Sequence, residues 1–308
     1  MGLPEDYLDY PIRKYGMDHD RYDWSVMFER QPVTWPNGAR VALWVIPTVE
    51  WFPLDMENTP FKVPGAPERV YPDYWTYTLR DYGTRIGIYR IMRVLDDLGI
   101  KGSVALNSAI AERHPYLVEQ INKRGWEIIA HGVDMDKTHH GDLPIDEETQ
   151  LVEGSLKVLR ELSGQDIRGW LSPAKSQSMN TPDLAAAQGI EYMCDWANDE
   201  MPYPFRTKSG EILAMPHPLE MDDQHILINL RQSEEEFVAQ VQDQFDWLYN
   251  EAADGNGRIM AISLHSWVSG QAFRVKPLAE ALGYIMNHKG VWSATGGEIV
   301  DAIRLERR

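Results

Sequence analysis

Three things are scarce in this 308-residue chain: cysteine, basic charge and long hydrophobic runs. The single cysteine, Cys194, excludes an intrachain disulfide and suits a reducing compartment. Lysine and arginine number 30 against 47 acidic residues, and a formal net charge of −17 repels phosphate backbones and anionic lipid. No stretch reaches the roughly 18 apolar residues of a membrane span. We therefore expect neither nucleic acid nor a membrane as a partner.

The N-terminus, M-G-L-P-E-D-Y-L-D-Y, has neither the basic region nor the apolar region of a signal peptide, which predicts a cytoplasmic protein. Aromatic residues are plentiful, with 11 Trp and 14 Tyr. They indicate either a filled core and subunit interface or an aromatic-lined pocket for a small organic substrate. Residues 1–40 show no clear period, so we interpret them as an N-terminal arm. Such an arm favours a homodimer or homotetramer.

The chain is organised around residues 41–55. Residues 41–46 are an apolar, β-branched run preceded by the turn signal P-N-G, which predicts a buried strand. This strand leads into a carboxylate, Glu50. In α/β folds the catalytic groups gather at the carboxyl ends of strands, so Glu50 is a candidate acid or base. The alternative is a solvated carboxylate at a strand end.

Strands and helices alternate over the rest of the chain. Helices are predicted at 80–98, 110–124, 147–162, 234–252, 277–287 and 296–305, with another beginning at 181. Further strands are predicted at 103–106, 126–130, 168–171, 191–194, 211–215, 225–230, 259–264 and 291–292. Residues 53–78 form a long, proline-rich and aromatic loop. Alternation without a repeat or linker predicts one α/β domain, residues 41–308, whose parallel sheet closes like a barrel.

Polar residues follow most of the predicted strands. They are Glu50, Asn107, His131, Ser172 with Pro173, Asp195 with Trp196, and His265. Because the carboxyl ends of parallel strands meet on one rim, we expect a single acid–base or hydrolytic site there. Each residue alone also fits a structural role, such as a histidine that satisfies a turn. The recurrence at one topological position weighs against that explanation.

The residues leave the metal question open. A carboxylate and two histidines can bind a divalent metal that activates water, or can act without metal as base and acid. The position four residues after His131 holds Met135, not the second histidine of an H-x-x-x-H pair. Asp134, Asp136, His139 and His140 lie nearby, but this cluster fits a solvated loop better than a ligand set.

The order of the motifs resembles the polysaccharide deacetylase superfamily, and more closely its branch of allantoinases and cyclic imide hydrolases. The motifs are W-P-N-G-A-R-V-A-L at 35–43, V-E-W at 49–51, A-H-G at 130–132, G-W-L-S-P at 169–173, C-D-W-A-N-D-E-M-P-Y at 194–203 and L-H-S-W-V-S-G-Q-A-F-R at 264–274. The resemblance runs from about residue 35 to 303. It implies a distorted (β/α)7-type barrel and hydrolysis of a non-peptide C–N bond.

By position, the resemblance implies that Glu50 is the base, His265 the catalytic acid and His131 the first metal histidine. Asp195 matches the acid that orients or tunes the last histidine. Two of the three usual zinc ligands are missing, because Trp51 and Met135 stand in their places. The resemblance therefore favours the allantoinase-like branch, some members of which work without metal, and we expect that no cofactor is required. If a metal is bound, we expect a single Zn²⁺ on Glu50, His131 and His265.

We thus predict a hydrolase that opens the ring of a small cyclic amide, ureide or imide, with the loop at 53–78 covering the substrate. The predicted substrate-binding residues are Trp51, Asn107, Ser172, Pro173, Trp196 and Arg274. Backbone N–H groups near Ser172 are candidate oxyanion donors. Two alternatives stay open: a metal-dependent N-deacetylase of an acetylated sugar or polysaccharide, and a catalytically inactive barrel that serves as a binding subunit.

Overall fold

Strands and helices alternate along residues 19–56 and 72–306, which the computed structural model describes. The strands are β1 (Val41–Val49), β2 (Ser103–Leu106), β3 (Glu127–Ala130), β4 (Gly169–Trp170), β5 (Tyr192–Met193), β6 (Tyr203–Thr207), β7 (Gly210–Ala214), β8 (Arg258–His265) and β9 (Val291–Ser293). The α-helices are α1 (Tyr74–Tyr82), α2 (Ile88–Leu98), α3 (Ser108–Arg113), α4 (Pro115–Lys123), α5 (Ile145–Ser163), α6 (Thr181–Ala187), α7 (Glu234–Glu251), α8 (Val275–Met286) and α9 (Gly296–Glu306).

The strands form one curled, mainly parallel sheet. Its order is β6-β7-β5-β4-β3-β2-β1-β8, with β9 also paired to β1. β6 runs antiparallel to β7. Within the described residues β8 and β6 end the order without pairing to each other, so the sheet is a partly open barrel. The predicted distorted (β/α)7-type barrel is confirmed in this form.

β1 lies between β2 and β8 in the sheet, and all nine of its residues are buried. A strand that is covered on both faces must be apolar throughout, which explains its unbroken hydrophobic run. β1 pairs with β8 along its length, and Thr48 lies opposite His265. At its carboxyl end it also pairs with β2, where Val49 lies opposite Leu106. Glu50 therefore enters the rim directly beside His265.

Two predicted helices have different bounds from those expected. The helix predicted at 80–98 begins earlier, at Tyr74, and runs through a π-helical turn, Gly83–Gly87, into α2. The helix predicted at 110–124 is broken at His114 into α3 and α4. Pro115 causes the break, because proline lacks an N–H and disfavours helical geometry in the residue before it.

The strand predicted at 225–230 is wrong. Residues Gln224–Asn229 form a π-helical turn in which Ile226 and Leu227 are buried. A short apolar run does not distinguish a strand from a buried helical turn, and here the surrounding fold selects the turn. Just before it, Asp222 forms an isolated parallel bridge with Ser263 of β8. That bridge holds the segment against the strand that carries His265.

The division into an arm, residues 1–40, and a barrel domain, residues 41–308, stays a prediction. The described part of the first range lies against the barrel. Arg21 pairs with Asp183 at 2.7 Å, and the buried indole of Trp35 donates to the carbonyl of Arg258 at 2.9 Å. Most of the loop predicted to cover the substrate, residues 57–71, falls outside the described residues. No helix within the described ranges is both long and apolar enough to cross a membrane.

Candidate active site

A cavity of about 880 Å³ opens at the carboxyl-end rim of the sheet, and its lining includes Glu50, His131 and His265. These residues follow β1, follow β3 and end β8, respectively. Glu50 and His265 are more than 200 residues apart in the sequence, and the structure brings both together with His131. Parallel strand order explains the meeting, because each strand contributes its last residues to the same edge.

Glu50 lies between the two histidines. Its Oε1 is 3.9 Å from Nε2 of His131 and 3.9 Å from Nε2 of His265, beyond direct hydrogen-bond distance. Its Oε2 is buried and has no hydrogen-bond partner among the described residues. Burial alone would raise the pKa of Glu50, but the charge of His265, followed by His131 and Arg80, holds that pKa below its ordinary value. Glu50 is therefore an ionised carboxylate with one oxygen available to a water or substrate.

His131 is fixed in one tautomer by the backbone. Its Nδ1 lies 2.8 Å from the carbonyl oxygen of Leu171, and a carbonyl only accepts, so Nδ1 carries the proton. With that proton on Nδ1, Nε2 is the ring atom that accepts a hydrogen bond when the ring is neutral. This atom is buried and has no hydrogen-bond partner in the described part of the chain. His131 can accordingly accept a hydrogen bond from a water or another donor beside Glu50.

The ring of His265 is held by carboxylates. Its Nδ1 donates to Oδ1 of the buried Asp223 at 2.8 Å and lies 3.5 Å from Oδ1 of Asp222. Burial opposes the imidazolium, but the carboxylates of Asp222, Glu50 and Asp223 outweigh it and raise the pKa of His265 to about 9. His265 is therefore protonated at neutral pH, and its Nε2–H faces the side on which Glu50 lies. The site combines an ionised base with a charged acid.

The role that the resemblance implies for Asp195 is taken by Asp223. Asp195 instead accepts hydrogen bonds from the backbone N–H and the hydroxyl of Ser172, both at 2.7 Å. Burial raises the pKa of Asp195 to about 6, although the bonds from Ser172 oppose the rise. Its placement on the last histidine was wrong, because four strands separate β5 from β8 in the sheet. The Ser172 N–H is likewise already bonded, so it is not a free oxyanion donor.

None of the six predicted substrate-binding side chains is part of the cavity lining. Asn107 instead links the segments that follow β1 and β3. Its side-chain carbonyl accepts a hydrogen bond from the backbone N–H of Trp51 at 2.8 Å, and its side-chain NH₂ donates to the backbone carbonyl of His131. The Trp51 ring packs near Tyr77, at 6.1 Å, and beneath the guanidinium of Arg113, at 4.5 Å. These residues hold the rim rather than face the substrate.

The other predicted binding residues are engaged elsewhere. Ser172 holds Asp195, and Pro173 packs so closely that a side chain at Gly132 would lie 2.5 Å from its ring. Trp196 packs on Phe205, with ring centroids 5.1 Å apart, and lines a separate cavity. Arg274 pairs with Glu234 at 2.9 Å. Position after a strand identified the rim but not the direction in which each side chain points.

The chain is similar to known proteins in sequence and in fold. Residues 76–193 match the family model described as "Polysaccharide deacetylase". Over these residues the chain is similar to polysaccharide deacetylases. A curated protein of Schizosaccharomyces pombe, "Putative polysaccharide deacetylase", is 25% identical over 242 residues, covering 72% of this chain and 74% of that protein. The comparisons support a hydrolase of the polysaccharide deacetylase type that acts on C–N bonds.

Two solved structures share the fold of nearly the whole chain. Puue allantoinase superposes with a TM-score of 0.82 at 24% identity, covering 96% of this chain and 98% of that one. A probable polysaccharide deacetylase from Pseudomonas aeruginosa PAO1 superposes with a TM-score of 0.78 at 23% identity, covering 96% and 97%. Identities this low establish the architecture and leave the substrate open.

Several residues in or against the cavity were not predicted. Asp222, Asp223, Lys175 and His217 all lie in or against the cavity. The run M-D-D-Q-H at 221–225, an acidic pair followed by a histidine, carried a signal for the first two. The apolar run that follows it obscures this signal, because that run favours a strand. Lys175 lies in a turn, where no periodicity announces a functional side chain.

One group of described residues has the spacing of a metal site: Asp222, Asp223 and His265, whose ligand atoms lie within 4.8 Å of one another. These atoms already have partners. Nδ1 of His265 donates to Asp223, which also accepts from the N–H and hydroxyl of Ser269, while Asp222 lies 3.2 Å from the Lys175 ammonium. A divalent ion would have to displace these donors, so the group does not fit a metal in this arrangement.

The conditional ligand set Glu50, His131 and His265 does not meet the same spacing. Nor are the family's other two ligand positions suitable. The Trp51 indole packs outside the cavity. Met135 offers only a thioether, which is a soft and weak ligand and is not among the Cys, His, Asp and Glu ligands that zinc takes in proteins. The arrangement of the described residues therefore gives no step that passes through a metal.

Proposed function

We propose that the protein opens the ring of a small cyclic amide, ureide or imide by hydrolysis of a C–N bond. The observation that supports this most is the pairing of an ionised Glu50 with a protonated His265 across 3.9 Å, beside an acceptor nitrogen of His131. An ionised base and a protonated acid are thus present in one cavity at neutral pH. Acid–base catalysis of this kind contributes roughly 10²–10⁴-fold to a rate.

The proposed reaction begins with a water held by Glu50 and by Nε2 of His131. Glu50 takes one proton, and the resulting hydroxide adds to the ring carbonyl carbon. The C–N bond then breaks, its electron pair goes to nitrogen, and the Nε2–H of His265 supplies the proton that makes the nitrogen a neutral amine or amide. The products are a carboxylic acid and that nitrogen group on one opened chain. Passage of the proton from Glu50 to His265 restores the starting state.

The test is a screen of cyclic imides, hydantoin-type ureides and N-acetyl sugars against wild type and Glu50→Gln. We expect ring opening by wild type and a loss of kcat/KM of at least about 10²-fold in the variant, because the amide cannot take the proton. Glu147→Gln, at an exposed position of α5, is the matched control and should retain full activity. Unchanged ring hydrolysis by Glu50→Gln would refute the assignment and favour an inactive barrel.

A metal-dependent N-deacetylase is the second candidate, because the Schizosaccharomyces pombe relative is named a putative polysaccharide deacetylase and Asp222, Asp223 and His265 have metal-like spacing. Metal removal separates the two functions. On our proposal, dialysis against a chelator leaves ring opening unchanged and elemental analysis finds far less than one zinc per chain. Activity on N-acetyl compounds alone, abolished by the chelator and restored by zinc, would select the deacetylase.

A further inference from the structure

The turn after β4 holds two consecutive residues in the left-handed region, Ala174 at φ 55° and Lys175 at φ 56°. A residue with a Cβ costs roughly 1–2 kcal/mol in this conformation, so the turn is kept by its surroundings. The turn places both residues in the cavity lining. The Lys175 side chain is 32% exposed, whereas its partner Asp222 is only 5% exposed. The strained backbone thus directs an ammonium group into the candidate active site.

Lys175 lies at a distance from the reacting groups. Its Nζ is 3.2 Å from Oδ2 of Asp222, and Oδ1 of the same carboxylate is 3.5 Å from Nδ1 of His265. This chain of contacts approaches His265 from the Nδ1 side, whereas Nε2 faces Glu50. A substrate whose reactive carbonyl lies at Glu50 would therefore meet Lys175 with another part of its ring.

His217 lines the same cavity and is 2% exposed. Neither of its ring nitrogens has a hydrogen-bond partner among the described residues. Burial, followed by the charge of Lys175, lowers the pKa of His217 well below its ordinary value, so the ring is neutral. A neutral imidazole has one N–H and one lone pair, and leaving them unpaired in a buried position is unfavourable. The ring is therefore suited to a hydrogen-bonding ligand.

The charges of the lining are balanced. Glu50 and Asp222 are negative, since His265 and Lys175 lower the pKa of the buried Asp222 to about 2, and His265 and Lys175 are positive. The lining that the structure describes has no surplus cation for an anionic group. An uncharged but strongly polar group, such as a carbonyl, fits this balance better than a carboxylate.

We propose that Lys175 and His217 form a second polar subsite that receives an uncharged carbonyl group of the substrate, distinct from the carbonyl that is attacked. The preferred substrates would then be rings with two carbonyls, imides or ureides, rather than simple lactams. This inference rests on the proposed function for the reaction, but the subsite itself is tested by binding alone.

The experiment measures binding by calorimetry to Glu50→Gln, which is expected not to turn the ligands over. The probes have one ring size: succinimide and hydantoin with two carbonyls, 2-pyrrolidinone with one, and a hydantoin bearing a carboxylate. We expect the two-carbonyl rings to bind at least 10-fold tighter than the lactam. Adding Lys175→Met should remove that preference without weakening the lactam, and Lys175→Arg should restore part of it.

Equal weakening of all rings by Lys175→Met, or an unchanged preference, would overturn the subsite. A 10-fold advantage for the carboxylate-bearing ring that disappears in Lys175→Met would show an anion site instead. Melting curves establish that each variant folds, and His217→Phe provides an independent variant with the same expected loss of preference. If Glu50→Gln still hydrolyses the rings, the proposed function fails while the binding result is judged separately.

Discussion

Glu50 and His265 face one cavity, yet their pKa values are displaced in opposite directions. The pKa of Glu50 lies below 4.5, and that of His265 is raised from 6.5 to about 9. Catalysis in the proposed form needs ionised Glu50 and protonated His265. We predict a kcat/KM profile that is flat through neutral pH, falls as pH rises through about 9, and falls in acid only below pH 4.5.

Asp223→Asn tests the origin of the alkaline limb. Removing this carboxylate takes away a hydrogen bond and a negative charge from the imidazolium, so the limb should move to lower pH. Asp254→Asn, at an exposed position, is the control and should leave the profile unchanged. The same shift also affects stability: the contribution of His265 is complete below pH 6.5 and is lost as pH rises through about 9. A limb that stays at the same pH in Asp223→Asn would show that another group titrates there.

The position of a site residue in the fold decides whether the sequence predicts it. Glu50, His131 and His265 lie at or directly after the ends of strands with clear hydrophobic patterns, so their convergence was predictable. Lys175 and His217 lie in irregular segments, where strained dihedral angles and packing decide the direction of a side chain. Strand-end position also could not tell that Trp196 or Arg274 points away from the cavity.

At the level of elements, the π-helical turn Gly83–Gly87 packs directly on the segment that follows β8. A Cβ at Gly87 would lie 1.9 Å from the carbonyl oxygen of Ser266, and one at Gly270 would lie 2.2 Å from the Gly87 Cα. That segment also supplies Ser269, which donates to Asp223. π-Turns are frequent at functional sites, and this one allows the close approach that fixes the support of His265.

We predict that Gly87→Ala destabilises the protein by about 3 kcal/mol and lowers kcat, because the clash displaces the segment that supports Asp223. Gly283→Ala in α8 is the matched control, since its nearest non-local atom lies 3.7 Å away on Leu98. There alanine should be neutral or stabilising by up to about 1 kcal/mol. Urea unfolding and kcat on the best ring substrate measure both effects, and equal stability of the two variants would contradict the packing argument.

The elements themselves were predictable where the pattern was long or punctuated. The predicted bounds of β2 agree with the structure, and β1 and β8 extend slightly beyond theirs. The failures have local causes: Pro115 breaks a continuous apolar pattern, and the short run around Ile226 was ambiguous between strand and turn. The partial opening of the sheet depends on contacts between distant strands, which no single segment encodes.

At the scale of the whole molecule, three large apolar side chains, those of Trp24, Met27 and Phe28, are exposed in the described part of the N-terminal arm. Trp24 is 67% exposed and Phe28 87% exposed. We predict a homodimer or homotetramer by light scattering, and a shift toward the monomer for Trp24→Ser combined with Phe28→Ser. Trp247→Ser, at a position 70% exposed on α7, should leave the mass unchanged. A wild-type monomer at all concentrations would refute the prediction.

The pairing of β1 with β8 has one more consequence. Thr48 lies opposite His265 in the pairing of the two strands, and both strands are buried throughout. Backbone hydrogen bonds between buried strands therefore set the spacing between Glu50 and His265. Groups placed on peripheral segments are lost to local fraying well before a protein melts. We therefore expect heat inactivation and the loss of the far-ultraviolet circular dichroism signal to superimpose. The two groups separate only when the pairing of β1 with β8 is lost.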